Sequence, residues 1–212
     1  MRQSVFDYIG SLNTLIAVFI GAILATGGAL VAEVIQERRN RKHREQDAAR
    51  FFGDILLSID QIIDFAFNSH TIGDQWGAMT LRIYKTALKE ASVYERNRER
   101  LFDIQDMELR SRIHTHFLTE TFPIEVLIEN SEEIAMLEAA HSKTLKVSKR
   151  KQDAHKARIK FLEDARQAGV EALKREHAKT KDLCRELEIV AKTTFALHTP
   201  PAVGATTDVQ AG

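Results

Sequence analysis

Glu138 and His141 stand three apart in "EAAH", a spacing that puts both on one face of a helix. Glu-x-x-His pairs of this kind hold iron in helical bundles. Such a centre needs two copies on two helices plus two further glutamates, and the chain has one copy. His114 and His116 are two apart, so on a helix they fall on different faces and cannot share an ion. They read as polar flanks of Ile113 and Phe117. Cys184, the single cysteine, lies in "KDLCREL", where Lys181 and Arg185 act to lower its pKa somewhat, but no local motif supplies a base, so it reads as a buried or merely available thiol. With one cysteine there is no intrachain disulfide. No glycine-rich loop follows a strand signal, so a nucleotide cradle of the usual kind is absent. These residues assign no catalytic group, no cofactor-binding group and no metal ligand. The expectation is a protein without a cofactor that is not an enzyme.

The elements that would position any chemistry begin with an uncharged run. Between Asp7 and Glu33 no side chain carries charge, which leaves 25 residues, Tyr8 to Ala32. A helix of that length reaches about 37 Å, against a hydrocarbon core of about 30 Å. Leu12, Leu15, Ile16, Phe19, Ile20, Ile23 and Leu24 supply apolar surface, and no face is charged, so the run reads as a span and not as a surface helix. A cleaved signal peptide fits less well. Leu30 stands where a small residue is wanted, and cleavage after Ala32 would leave a basic block at the new start, which resists translocation. "ATGGAL" inside the run is packing. Ala17, Gly21, Ala25 and Ala29, each four apart, form a ridge of small residues on which a second helix can approach closely.

Arg38, Arg39, Arg41, Lys42 and Arg44 follow the span, against Arg2 alone before it. The excess of Lys and Arg places the carboxyl side in the cytoplasm and the amino terminus outside. In a bacterium that means the inner membrane, crossed once.

Beyond the span the chain reads as helix throughout. Of 212 residues only 3 are proline and 10 glycine, and 30 basic residues balance 30 acidic ones, so overall charge gives no reason to expect nucleic acid. Phe52, Ile55, Leu56, Ile59, Ile62, Ile63 and Ala66 make a three-four stripe. "NSHTIGDQWG" breaks it, with Trp76 as a core or loop anchor. A second helix from about Gln75 to Arg98 carries Met79, Ile83, Ala87, Ala91 and Tyr94. "LFDIQDMEL" is a turn with Asp103 or Asp106 as the next cap. Leu109, Ile113 and Phe117 mark a third helix, and Pro123 suits the first turn of a fourth. From there Ile124, Leu127, Ile128, Ile134, Ala135 and Leu145 share one face. Ile159, Leu162, Leu173, Leu183, Leu187 and Val190 keep a seven-residue register that Arg166, Gly169, Glu176 and Thr180 interrupt, the mark of a weak coiled coil.

Along this last stretch charge switches sign. Glu120, Glu125, Glu129, Glu132, Glu133 and Glu138 have no base between them. Lys143, Lys146, Lys149, Arg150, Lys151, Lys156, Arg158 and Lys160 follow, with Asp153 alone against them. A helix running from Ile124 toward the bilayer would set the acids far out and the bases near anionic headgroups.

Tyr94, Asn97, Leu101, Ile113 and Phe117, within "YERNRERLFDIQDMELRSRIHTHF", follow a pattern that resembles uncharacterised bacterial proteins with one amino-terminal span and a cytoplasmic helical domain. The resemblance covers about 24 residues. It implies an inner-membrane setting and brings no activity.

The expected architecture is all-α: one amino-terminal transmembrane helix, an antiparallel helical bundle and a long charged carboxyl-terminal helix. Its segments are a tail at 1–11, the span at 12–32, the bundle at 33–122, the long helix at 123–197 and a disordered end at 198–212. The expected function is a membrane-anchored interaction or scaffold module that contacts lipid and self-associates through the span or the last helix. The other reading is a membrane-tethered nucleic-acid-binding or regulatory effector using the basic run 143–160.

Overall fold

A computed structural model describes residues 4–142 and 149–195, and among them every regular element is a helix. Helix α1 spans Ser4–Ile72, α2 Ala78–Arg96, α3 Met107–Ser142 and α4 Lys149–Ala191, with a 3-10 turn at Arg98–Asp103 between α2 and α3. The chain divides into two compact units, Met1–Arg44 and Glu45–Gly212.

In the first unit α1 begins at Ser4, so most of the expected tail is already helical. The described part of the helix is long and apolar enough to cross a membrane. Its large side chains, Ile16, Phe19, Ile20, Ile23 and Leu24 among them, are exposed.

The second unit is a helical bundle built from the latter part of α1 with α2, α3 and α4. Phe52, Ile55, Leu56, Ile59, Ile63 and Ala66 are buried as their spacing requires. On α2 the buried stripe is Thr80, Tyr84, Ala87, Ala91 and Tyr94. Met79, expected on it, is exposed, because α2 starts at Ala78 and the burying face is offset by one residue. Asp106 caps α3, its Oδ1 accepting the amides of Glu108 at 2.8 Å and Leu109 at 3.1 Å.

The expected break at Pro123 does not occur, and α3 runs through it. A proline inside a helix costs about 3 kcal/mol. Burial of Phe117, Ile124, Leu127 and Ile128 on the flanking turns offsets this, each large apolar side chain contributing about 1.5–3 kcal/mol. The expected long helix over 123–197 is therefore the second half of α3 followed by a separate α4. Ala135, expected on the buried face, is exposed. Leu145, Lys143, Lys146 and the segment 198–212 lie outside the described residues.

Helices α3 and α4 run antiparallel. Glu133 meets Arg158, Ser131 meets Arg166, His116 meets Thr180 and Arg112 meets Glu186, so one sequence rises as the other falls. Gly169 is no interruption of the seam but packs closely on Leu127 of α3. A Cβ there would lie 3.3 Å from Leu127 Cδ2. At its end Lys192 adopts a left-handed φ of 52° and turns the chain back, seating Phe195 in the core.

Candidate functional site

Of the four residues that seemed to break the α4 register, three are buried and Glu176 is partly buried. Arg166, Gly169 and Thr180 all face inward, beside Leu162, Val170, Leu173, Leu183 and Leu187. Around Thr180 this polar part of the seam meets α1 and α3 in a cluster of carboxylates and imidazoles. Asp60 and Asp64 come from successive turns of α1, His116 and Glu120 from successive turns of α3, and Glu176 and His177 from α4. Asp60, His116 and Glu120 are 3%, 4% and 1% exposed, against 56% for the Asp64 side chain, so the cluster reaches solvent at Asp64.

Two histidines organise it. Asp64 Oδ1 lies 3.0 Å from His177 Nε2, while His177 Nδ1 lies 3.3 Å from Asp60 Oδ1 and 3.9 Å from Glu120 Oε1. Glu176 Oε1 lies 2.9 Å from His116 Nδ1, while His116 Nε2 lies 3.1 Å from Thr180 Oγ1 and 3.5 Å from Glu120 Oε2. Each imidazole thus has one nitrogen on an outer carboxylate, and each turns the other toward Glu120. No hydrogen bond reaches Asp60 Oδ1, either oxygen of Glu120 or His177 Nδ1. Buried polar atoms are normally satisfied; among the described residues Arg166 Nε is the one other buried side-chain atom without a hydrogen-bond partner, so four of the five gather here.

The titration of these groups follows from burial and crowding. Burial raises the Asp60 carboxyl above its ordinary range, and Asp64 and Glu120 add to this against His177 and Lys181. For His177, burial pulls downward, but Glu120, Asp64 and Asp60 outweigh it and hold the imidazole above its ordinary value. Burial also opposes ionisation of Glu176, yet bonds from Lys179, His116 and Thr119 carry it below the usual carboxylate range. Cys184 is buried, and desolvation with Asp60, Glu188 and Glu120 pushes its thiol up to about 12. The expected buried thiol is found, and burial outweighs the pull of Lys181 and Arg185 toward the thiolate. Proximity in sequence does not decide the field at a buried sulfur.

The other singled-out residues lie elsewhere. His114 bonds Tyr94 Oη at 2.6 Å, on a different face from His116. His141 stacks on His155 across the α3–α4 hairpin, with ring centroids 4.8 Å apart. Ala17, Gly21, Ala25 and Ala29 are exposed, and a Cβ at Gly21 would meet nothing within 4 Å. Arg38, Arg39, Arg41, Lys42 and Arg44 are exposed, with Glu37 3.6 Å from Arg41 and 3.4 Å from Arg44. Lys149, Arg150, Lys151, Lys156, Arg158 and Lys160 are exposed on the first turns of α4.

The charge switch is not spread along one axis. It folds on itself: Arg158 makes two bonds to Glu133, at 2.8 and 2.9 Å. Glu132 reaches Lys85 of α2. Acidic α3 and basic α4 lie side by side because the two helices pack antiparallel.

The sequence carried a signal for the cluster that spacing rules for single motifs miss. Glu120 stands three after Phe117 and four before Ile124, so it occupies the buried stripe of α3. Asp60 lies between Ile59 and Ile63, and Thr180 continues the heptad from Leu173 to Leu187. A polar residue in an apolar register is the informative observation. Compared with known proteins, the chain matches no family model, no curated protein and no solved structure.

Proposed function

We propose that the protein is a single-pass, membrane-anchored interaction module: a bacterial inner-membrane span carrying a cytoplasmic helical bundle, with no catalytic activity. One observation carries this. The large apolar side chains from Ile16 to Ile35 are exposed along α1 and are followed at once by five exposed basic residues. An apolar surface of that length is stable in lipid and costly in water. The basic block selects the cytoplasmic side for the bundle. The ridge from Ala17 to Ala29 suits self-association within the bilayer.

The test combines extraction and labelling. The full chain should stay with membranes through alkaline carbonate and leave them in detergent. A membrane-impermeant maleimide should miss Cys184 in intact cells and react after permeabilisation and denaturation. Release by carbonate would sink the anchor, and labelling of intact, denaturant-treated spheroplasts from outside would reverse the orientation.

A further inference from the structure

We infer that His177, Asp60 and Glu120 bind a divalent transition-metal cation inside the bundle, with Asp64 and His116 completing the site. The inference is independent of the membrane anchor.

Four atoms define the position: His177 Nδ1, Asp60 Oδ1 and both carboxylate oxygens of Glu120. They come from three helices, all four are buried, and none has a hydrogen-bond partner. The ligand atoms around His177 Nδ1 stand 3.3 and 3.9 Å away. Bonds of about 2.0–2.2 Å to one cation place neighbouring ligand atoms roughly 3–3.6 Å apart, so small side-chain movements close the set. The second oxygen of Glu120 faces His116 Nε2 at 3.5 Å, which offers a second imidazole.

The tautomer suits this role. Asp64 accepts from His177 Nε2–H at 3.0 Å, so in the neutral ring Nδ1 holds the lone pair. A carboxylate on the far nitrogen is the usual way a metal-binding imidazole is oriented and made more basic. Glu176 does the same for His116 from its Nδ1 side. A proton on Nδ1 would serve one of these acceptors. A cation serves Asp60, both oxygens of Glu120 and Nδ1 together. Mixed imidazole and carboxylate donors suit zinc, iron, cobalt or manganese better than magnesium or calcium, which prefer all-oxygen sites. Asp64, half-exposed, marks the entrance.

Cobalt(II) titration of the full chain, purified metal-free in detergent, reads the site directly through its visible d–d absorption. One cobalt per chain is expected, displaced by zinc and unaffected by millimolar magnesium. His177→Ala and Glu120→Gln should abolish stoichiometric binding, and Asp64→Asn should weaken it about 10–100-fold. His155→Ala, at the separate His141–His155 stack, should leave it unchanged. Trp76 fluorescence and helical circular dichroism report whether each variant is folded. Absence of stoichiometric cobalt bands in the unaltered chain overturns the inference whatever the variants do. So does binding that survives in folded His177→Ala or disappears in His155→Ala.

Discussion

Phe195 lies on Gly53. A Cβ added at Gly53 would fall 2.7 Å from Phe195 Cε1 and closer still to the neighbouring ring carbons. The pair fastens the residues after α4 to α1, helped by Glu188 Oε1, which accepts the Phe195 amide at 2.8 Å.

Gly53→Ala should therefore destabilise the bundle by about 1–3 kcal/mol through overpacking. In a Phe195→Ala background the same change should stabilise by up to about 1 kcal/mol, because the helix gains alanine's propensity and the ring is gone. Denaturant unfolding of the four proteins checks the reversal of sign. The same sign in both backgrounds would mean that the ring does not occupy that space.

Arg166 is buried in the α4 seam with its guanidinium 3.9 Å above the Trp76 ring and 3.4 Å from Ser131 Oγ. Trp76 is the only tryptophan, so the emission reports its surroundings, this stack included. Arg166→Lys loses the planar stack. It should shift the emission and cost about 1–2 kcal/mol. Lys174→Gln, at an exposed position, should do neither.

Tyr94 stacks on Phe117 with centroids 3.9 Å apart, and burial pushes its phenol up to about 12, with Glu95 adding to this and Arg98 opposing it. A folded-state value raised above the unfolded 10.0 contributes stability that is complete below pH 10.0 and lost as pH rises toward about 12. Tyr84 is buried and shifts the same way. Unfolding midpoints should hold up to the ordinary phenol range and fall within that window. Tyr94→Phe should flatten the fall, and an unchanged slope would place the loss elsewhere.

The basic turns of α4 should bind poorly to polyanions. Glu133 holds Arg158, and Glu129 and Glu138 are carried on the same neighbouring helix. The fragment 45–212, a compact unit with its own core, should stay in the supernatant with anionic vesicles and fail to retard nucleic acid at physiological ionic strength. Vesicle pelleting that disappears when Lys149, Arg150 and Lys151 become glutamine would restore the lipid-facing role. Salt-sensitive retardation of nucleic acid would favour the effector reading.

Much of the fold was legible because it rests on local periodicity. The stripe from Phe52 to Ala66, the cap at Asp106 and the uncharged run each state their structure within one or two turns. The break at Pro123 was misplaced because a local preference of about 3 kcal/mol was set against burial that only the partner helix reveals. The cluster was hidden for a related reason. Asp60, Glu120 and His177 are far apart in sequence, so no local spacing brings them together. Glu120 reads as the first of an acidic run, although its register matches Phe117 and Ile124. Gly169 and Thr180 looked like faults in a coiled coil because a heptad seam expects apolar residues. This seam instead uses a small residue for close approach and a hydroxyl to hold an imidazole.

The seat that Phe195 fills belongs to a helix made long before the ring that fills it. At about 5–20 residues per second the wait is on the order of ten seconds. Throughout it, Phe52, Leu56, Ile59 and Ile63 lack the α4 side chains that complete their cover. Nascent or truncated chains that stop short of α4 therefore present a sticky apolar strip. They should be bound by chaperones or degraded, while chains that reach Phe195 escape both.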